Sequence, residues 1–153
     1  MTPRPTVRPI AEADYDAWRP LWDGYNAFYG RVSETALPEP VTASTWRRFF
    51  DTGEPVFALV AEAEGEVVGL AHFLFHRSMT RIESICYLSD LFTSPAHRGR
   101  GVGRLLIEGV CERARAGGAT RVYWQTHETN TPGRRLYDQV ARHLGYIVYS
   151  RDL

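Results

Sequence analysis

The sequence predicts a mixed α/β domain, one sheet of parallel and antiparallel strands with helices on both faces. Three observations predict it. The β-like runs 56–63 and 66–76 meet at Glu64 and Gly65, turn residues that close an antiparallel hairpin. A glycine-led helical pattern at 101–116 lies between two further β-like runs, the spacing of a crossover that makes strands parallel. The 153 residues are enough to bury a core and too few for two ordinary domains, so 1–153 reads as a single domain.

Each element has its own reason. Residues 6–10 read as a short strand. Tyr15, Trp18, Leu21, Trp22, Tyr25, Phe28 and Tyr29 recur at helical spacing, with Pro20 inside the pattern predicting a kink or a break into two short helices. Residues 31–41, with Pro38 and Pro40, read as a loop. Thr42 or Ser44 would cap a second helix carrying Trp46, Phe49 and Phe50, ended by turn residues at 51–55. After the hairpin, 83–93 reads as a strand stopped by Ser94 and Pro95. Val102, Leu105, Leu106 and Val110 mark the apolar face of the 101–116 helix, which Gly117 and Gly118 close. A strand at 121–126, a helix at 132–144 and a last strand at 146–149 complete the order β-α-α-β-β-β-α-β-α-β.

Composition narrows the function. Eighteen basic residues balance eighteen acidic ones, so no global field draws nucleic acid or an anionic membrane. No apolar run approaches the ~20 residues of a membrane span. Met1 to Pro5 lack the apolar stretch of a signal peptide, and Cys86 and Cys111 form no disulfide framework, so a cytoplasmic protein is expected. Every basic side chain is arginine; there is no lysine. That excludes a Schiff-base mechanism and a lysine-dependent phosphate loop. His72 and His76, four apart on a strand, stand ~13 Å apart, and neither cysteine has a partner at ligand spacing, so no metal is expected.

The chemistry concentrates at 90–104. A strand ends, a glycine-rich turn follows, and a helix opens directly from it. Free amides at a helix start and the helix dipole both attract anions. Gly99, Gly101 and Gly103 leave room for a phosphate to reach those amides, and Arg98, Arg100 and Arg104 add charge. A polyphosphate site is expected there. Arg104 stands where a dinucleotide fingerprint begun at Gly99 would need glycine. Near the N-terminus, aromatic rings beside Asp23, Asn26 and Tyr29 suit a cationic amine, although the same rings also serve a helix packed on a core.

Arg98-x-x-Gly101-x-Gly103 resembles the pyrophosphate-binding signature of the GNAT superfamily of acyl-CoA-dependent N-acetyltransferases. A second match runs from Trp124 through Asn130 to Pro132, then Arg135-Leu136-Tyr137 and Leu144-Gly145-Tyr146. The stretches 87–92 and 124–132 look closest to the polyamine and histone-type acetyltransferases. The resemblance implies the GNAT fold and acetyl transfer from acetyl-CoA to a primary amine, a small cationic one favoured, by direct attack in a ternary complex. It implies that residues 98–104, Val102 included, hold the pyrophosphate of coenzyme A. The pantetheine arm would run beside Leu91, Phe92 and Thr93, with Asn130 bonding it or the adjoining backbone, and an N–H there would polarise the thioester carbonyl. Tyr137 would protonate the leaving thiolate.

Ser89 stands where polyamine acetyltransferases carry a glutamate, so the base falls to another group. Asp90 is taken as catalytic and is one candidate for the base, which stays open. Glu83, on the same strand with opposite parity, cannot share the cleft with it without a bulge, and His72, His76 and Glu128 are further candidates. The alternatives are a non-catalytic acyl-CoA-binding or regulatory module, and an enzyme acting on protein N-termini or lysines. A homodimer is expected, as relatives often pair.

Overall fold

The computed structural model describes residues 3–153. Its elements are β1 (Thr6–Pro9), α1 (Tyr15–Phe28), α2 (Glu39–Arg48), β2 (Val56–Ala63), β3 (Glu66–His76), β4 (Ile85–Thr93), α3 (Val102–Ala116), β5 (Val122–Tyr123) and α4 (Thr131–Val140). The strands lie in the order β1-β2-β3-β4-β5, antiparallel up to β4, with β5 parallel to β4. This is the expected mixed sheet. Glu64 (φ 55°) and Gly65 (φ 79°) both take the left-handed conformation of a primed two-residue turn, and Ala63 faces Glu66 across the hairpin.

Each face of the sheet has its own core. On one, Leu59, Ala71, Phe73, Cys86 and Leu88 pack against Val102, Leu106, Ile107 and Val110 of α3. On the other, Trp18, Leu21, Trp22 and Tyr25 of α1 cover Leu70, with Trp46, Phe49 and Phe92 packed around them.

A bulge in β4 decides which side chains face which helix. His72 pairs with Asp90 and Phe73 with Leu88, which leaves Ser89 as the extra residue. Before it, Cys86 and Leu88 join the α3 core; after it, Leu91 does. The shift in parity turns Asp90 toward His72 and Phe92 toward the α1 cluster.

Three expectations need correction. α1 runs unbroken through Pro20. Burying Trp18, Leu21, Trp22 and Tyr25, each worth about 2–3 kcal/mol, outweighs the ~3 kcal/mol that an internal proline costs. α2 starts at Glu39 behind Pro38, so neither Thr42 nor Ser44 caps it. Thr42 is buried instead, and its hydroxyl accepts the Trp22 indole N–H at 3.1 Å. The last strand, 146–149, does not form, and α4 stops at Val140, where Ala141 turns extended. A strand exists only by pairing, and the neighbouring β5 is two residues long. Tyr146, Ile147, Val148 and Tyr149 are all exposed.

Candidate active site

β4 and β5 share only two residue pairs, Cys86 with Val122 and Tyr87 with Tyr123, and then part. The cleft opens where they separate. Leu88, Ser89 and Leu91 of β4 form one wall; Trp124 and Gln125, just past β5, form the other. Tyr25 and Tyr29 reach in from α1, and Tyr137 from α4. Among the described residues no strand pairs with this edge of β4 beyond Tyr87, so its backbone groups are available to an extended ligand.

Past the cleft, the chain leaving β4 makes the turn before α3. Gly99 (φ 76°) and Gly101 (φ 81°) take the left-handed conformation, which a Cβ would strain. Gly101 caps α3 with no side chain, so no side-chain acceptor ties up the N–H groups of Val102, Gly103 and Arg104. The buried Val102 side chain anchors the helix start in the core. Gly103 has a different duty: a Cβ there would come within 3.2 Å of Leu136, so glycine lets α4 close onto α3. Arg98 lies over the Phe92 ring, 5.2 Å from its centroid, and donates from Nε to the Thr93 carbonyl at 3.1 Å. Arg104 bonds Gln139 of α4, and Arg100 is exposed. The glycines, uncapped amides and arginines fit a pyrophosphate.

Tyr137 packs edge-on against Trp124, ring centroids 5.5 Å apart. Burial, then the neighbouring Tyr29, push its hydroxyl above the usual tyrosine range, so it stays protonated at neutral pH. Asn130 caps α4: its Oδ1 accepts from the Gly133 amide at 3.3 Å, and its Nδ2 donates to Thr126 at 2.9 Å.

Next to Tyr25 and Ser89 of the cleft lies a buried chain of side chains. Trp18, fully buried, donates its indole N–H to His72 Nε2 at 3.0 Å. An indole only donates, so Nε2 is an acceptor and the ring hydrogen sits on Nδ1. That Nδ1 meets Asp90 Oδ2 at 2.8 Å. Ser89 Oγ donates to Asp90 Oδ1 at 3.3 Å, and the Tyr25 hydroxyl reaches the Ser89 carbonyl at 3.4 Å. Burial pushes the Asp90 carboxyl up, but hydrogen bonds from His72, Tyr25 and Ser89 outweigh it and hold it below the ordinary range. The result is a stable anion beneath Tyr25 and Tyr29, both of whose hydroxyls are raised, by burial first and then by that charge.

The other residues singled out from sequence separate into two groups. Tyr29 lines the cleft. Asn26 is buried, bonding the Trp22 carbonyl and Arg31. Asp23 lies on the solvent side of α1, paired with Arg19 at 3.0 Å. Glu83 precedes β4 and accepts from Thr120, His76 bonds Tyr123, and Glu128 is exposed. Burial, then the Cys111 sulfur, push the Cys86 thiol up to about 12, far from an activated nucleophile. Sequence reasoning missed the Trp18–His72 bond, whose partners lie 54 residues apart, and it missed Arg31. Among the described residues no cluster of three or more His, Cys, Asp or Glu could hold a metal, and no helix is long and apolar enough to cross a membrane.

The model of the acetyltransferase (GNAT) family matches residues 18–146, most of the chain. This chain belongs to the GNAT family. Across 97% of its length the GNAT chain is 35% identical to a D-amino-acid N-acetyltransferase of Saccharomyces cerevisiae, covering 91% of that protein. It is 29% identical to an uncharacterized N-acetyltransferase of Bacillus subtilis, over 87% of this chain and 86% of the other. Among solved structures it resembles a ribosomal-protein-alanine N-acetyltransferase from Brucella melitensis (TM-score 0.79, 18% identity, 99% of this chain and 100% of that one). It also resembles the aminoglycoside acetyltransferase AAC(6')-Iy bound to a bisubstrate analogue (TM-score 0.81, 17% identity, 99% of each chain). At those identities the structures bear on the fold, which is the GNAT fold. The family and its relatives make the chain an enzyme, an acyl-CoA-dependent N-acyltransferase.

Proposed function

We propose that this GNAT enzyme moves an acetyl group from acetyl-CoA to the primary amine of a small cationic molecule, by direct attack with both substrates bound. What supports the reading is an uncapped, anion-ready helix start that follows the strand lining the cleft, together with a buried carboxylate that acts on the cleft's tyrosines. The amides of Val102, Gly103 and Arg104 bind the pyrophosphate, while Arg98, Gly99, Arg100 and Gly101 shape and charge the turn. The pantetheine arm lies along the open edge of β4 and bonds the main chain at Leu91, Phe92 and Thr93 as an added strand would. Asn130 holds the start of α4 beside that arm.

The amine nitrogen attacks the thioester carbonyl, whose oxygen is stabilised by a β4 amide. The ammonium has first given one proton to water; after attack the C–S bond breaks as Tyr137 gives its proton to the sulfur, and the second proton of the nitrogen passes through water to restore the tyrosine. Asp90 draws the ammonium to the cleft and orients it; a carboxyl held below its usual range is a weak proton acceptor, so its part is electrostatic. The protein works as one domain, residues 1–153, in the cytoplasm, and as a homodimer, for which the exposed apolar run at 146–149 offers a surface. Sedimentation velocity checks the assembly.

Activity is tested with acetyl-CoA and a panel of polyamines, amino acids, aminoglycosides and peptides, following free thiol. The name of the yeast relative puts D-amino acids on that panel. Thiol release with at least one amine supports the proposal, and silence across the panel overturns it.

A further inference from the structure

Beyond the amine, the structure holds a second recognition element. α1 ends in a Schellman motif: the Gly30 amide bonds the Ala27 carbonyl at 3.0 Å and the Arg31 amide bonds the Asn26 carbonyl at 2.9 Å. Gly30 (φ 81°) makes that reversal possible. The turn brings the Arg31 side chain back over the tyrosines, its guanidinium carbon 5.5 Å from the Tyr29 ring centroid and 5.9 Å from that of Tyr25. Both rings line the cleft.

Arg31 is held in place by a buried group. Its Nε donates to Asn26 Oδ1 at 2.7 Å. Asn26 is 4% exposed and is fixed at its other end by donating to the Trp22 carbonyl at 2.9 Å. Among the described residues the two terminal nitrogens of Arg31 meet no carboxylate. A half-buried guanidinium so oriented, stacked on aromatic rings and with its fork unanswered, matches the planar geometry of a carboxylate. The Asp90 charge acts on the hydroxyls of the same tyrosines. The tyrosines that line the cleft therefore have beside them an anion suited to an ammonium and a cation suited to a second, negative group on the same molecule.

We propose that Arg31 reads a carboxylate on the acceptor, so that the amine acetylated belongs to an amino acid or a similar zwitterion. This rests on the function proposed above. Arg31 is then a residue of substrate specificity, acting on the acceptor and not on the thioester.

The test compares an α-amino acid of either hand with its carboxamide and its decarboxylated amine, all with one side chain, in the wild type and in Arg31→Met. The wild type should favour the amino acid in kcat/KM by about 10- to 100-fold, the worth of a charge-assisted bidentate pair, and Arg31→Met should erase most of that ratio. Arg31→Lys should restore part of it, since a point charge replaces the fork. If Arg31 serves only to satisfy Asn26, the variant weakens all three substrates alike, and the inference fails. It fails equally if the wild type turns over the bare amine as well as the amino acid, a result that needs no variant and leaves the acetyltransferase reading intact. Absence of thiol release with every amine removes both.

Discussion

At the start of α3 the polar groups on offer are backbone amides, shaped by glycine. At the α1 end they are side chains, buried and held by one another from Trp18 through His72 to Asp90. The first arrangement is local: residues 98–104 make it within one turn. The second is assembled across the sheet from α1, β3 and β4. A local anion site tolerates change everywhere except at its backbone, whereas a buried chain of hydrogen bonds fails when any member is lost.

Four measurements would break or sharpen that contrast. Between the two ends sits Tyr137, and Tyr137→Phe should lower kcat by about 10²- to 10⁴-fold while calorimetric binding of coenzyme A persists. Equal loss of both would make the tyrosine a packing group. Trp18→Phe leaves His72 Nε2 buried without its donor and should cost about 1–3 kcal/mol in urea unfolding. A smaller cost would mean that water replaces the indole and that the α1 end is less tightly built. Gly101→Val places a β-branched residue at φ 81° and should weaken coenzyme A binding about 10-fold, through roughly 1–2 kcal/mol of strain, with little effect at the α1 end.

The smallest effect concerns acid. Asp90 is held below its unfolded value by His72, Tyr25 and Ser89 against burial, and Asp14 by Arg8, whose guanidinium pairs with it at 2.7 Å. A depressed folded value stabilises fully above the unfolded one, at about pH 4, and that stability is lost as pH falls through the folded value. The urea midpoint should drop as pH falls below the unfolded value of about 4, and Asp90→Asn should flatten the drop. An unchanged slope in that variant would separate Asp90 from the acid response.

How far each end was legible follows from the same contrast. The glycine turn could be read because its chemistry lies in consecutive residues: Gly99 and Gly101 need positive φ, and Gly101 leaves α3 uncapped. The β2–β3 hairpin was equally plain, since Glu64 and Gly65 set its register. The α1 end was not. Trp18 and His72 are 54 residues apart, and the bulge at Ser89 that turns Asp90 toward His72 leaves no mark in the alternation of β4. Asn26 was read as a substrate residue, yet its side chain is occupied by Trp22 and Arg31. The signal for Arg31 was present in Gly30, a helix-ending glycine that fixes where the next side chain points. At 146–149 the pattern favoured a strand, but a pattern supplies no neighbour to pair with.

The four tryptophans are divided by the architecture in a way an optical experiment can use. Trp18 and Trp22 lie inside the α1 core, while Trp46 and Trp124 are half-buried, and of these two it is Trp124 that lines the cleft. Intrinsic fluorescence thus contains two emitters hidden from a collisional quencher such as acrylamide and two within its reach. A ligand filling the cleft screens one of the reachable pair and leaves the other as an internal reference, so occupancy can be followed in the unlabelled protein.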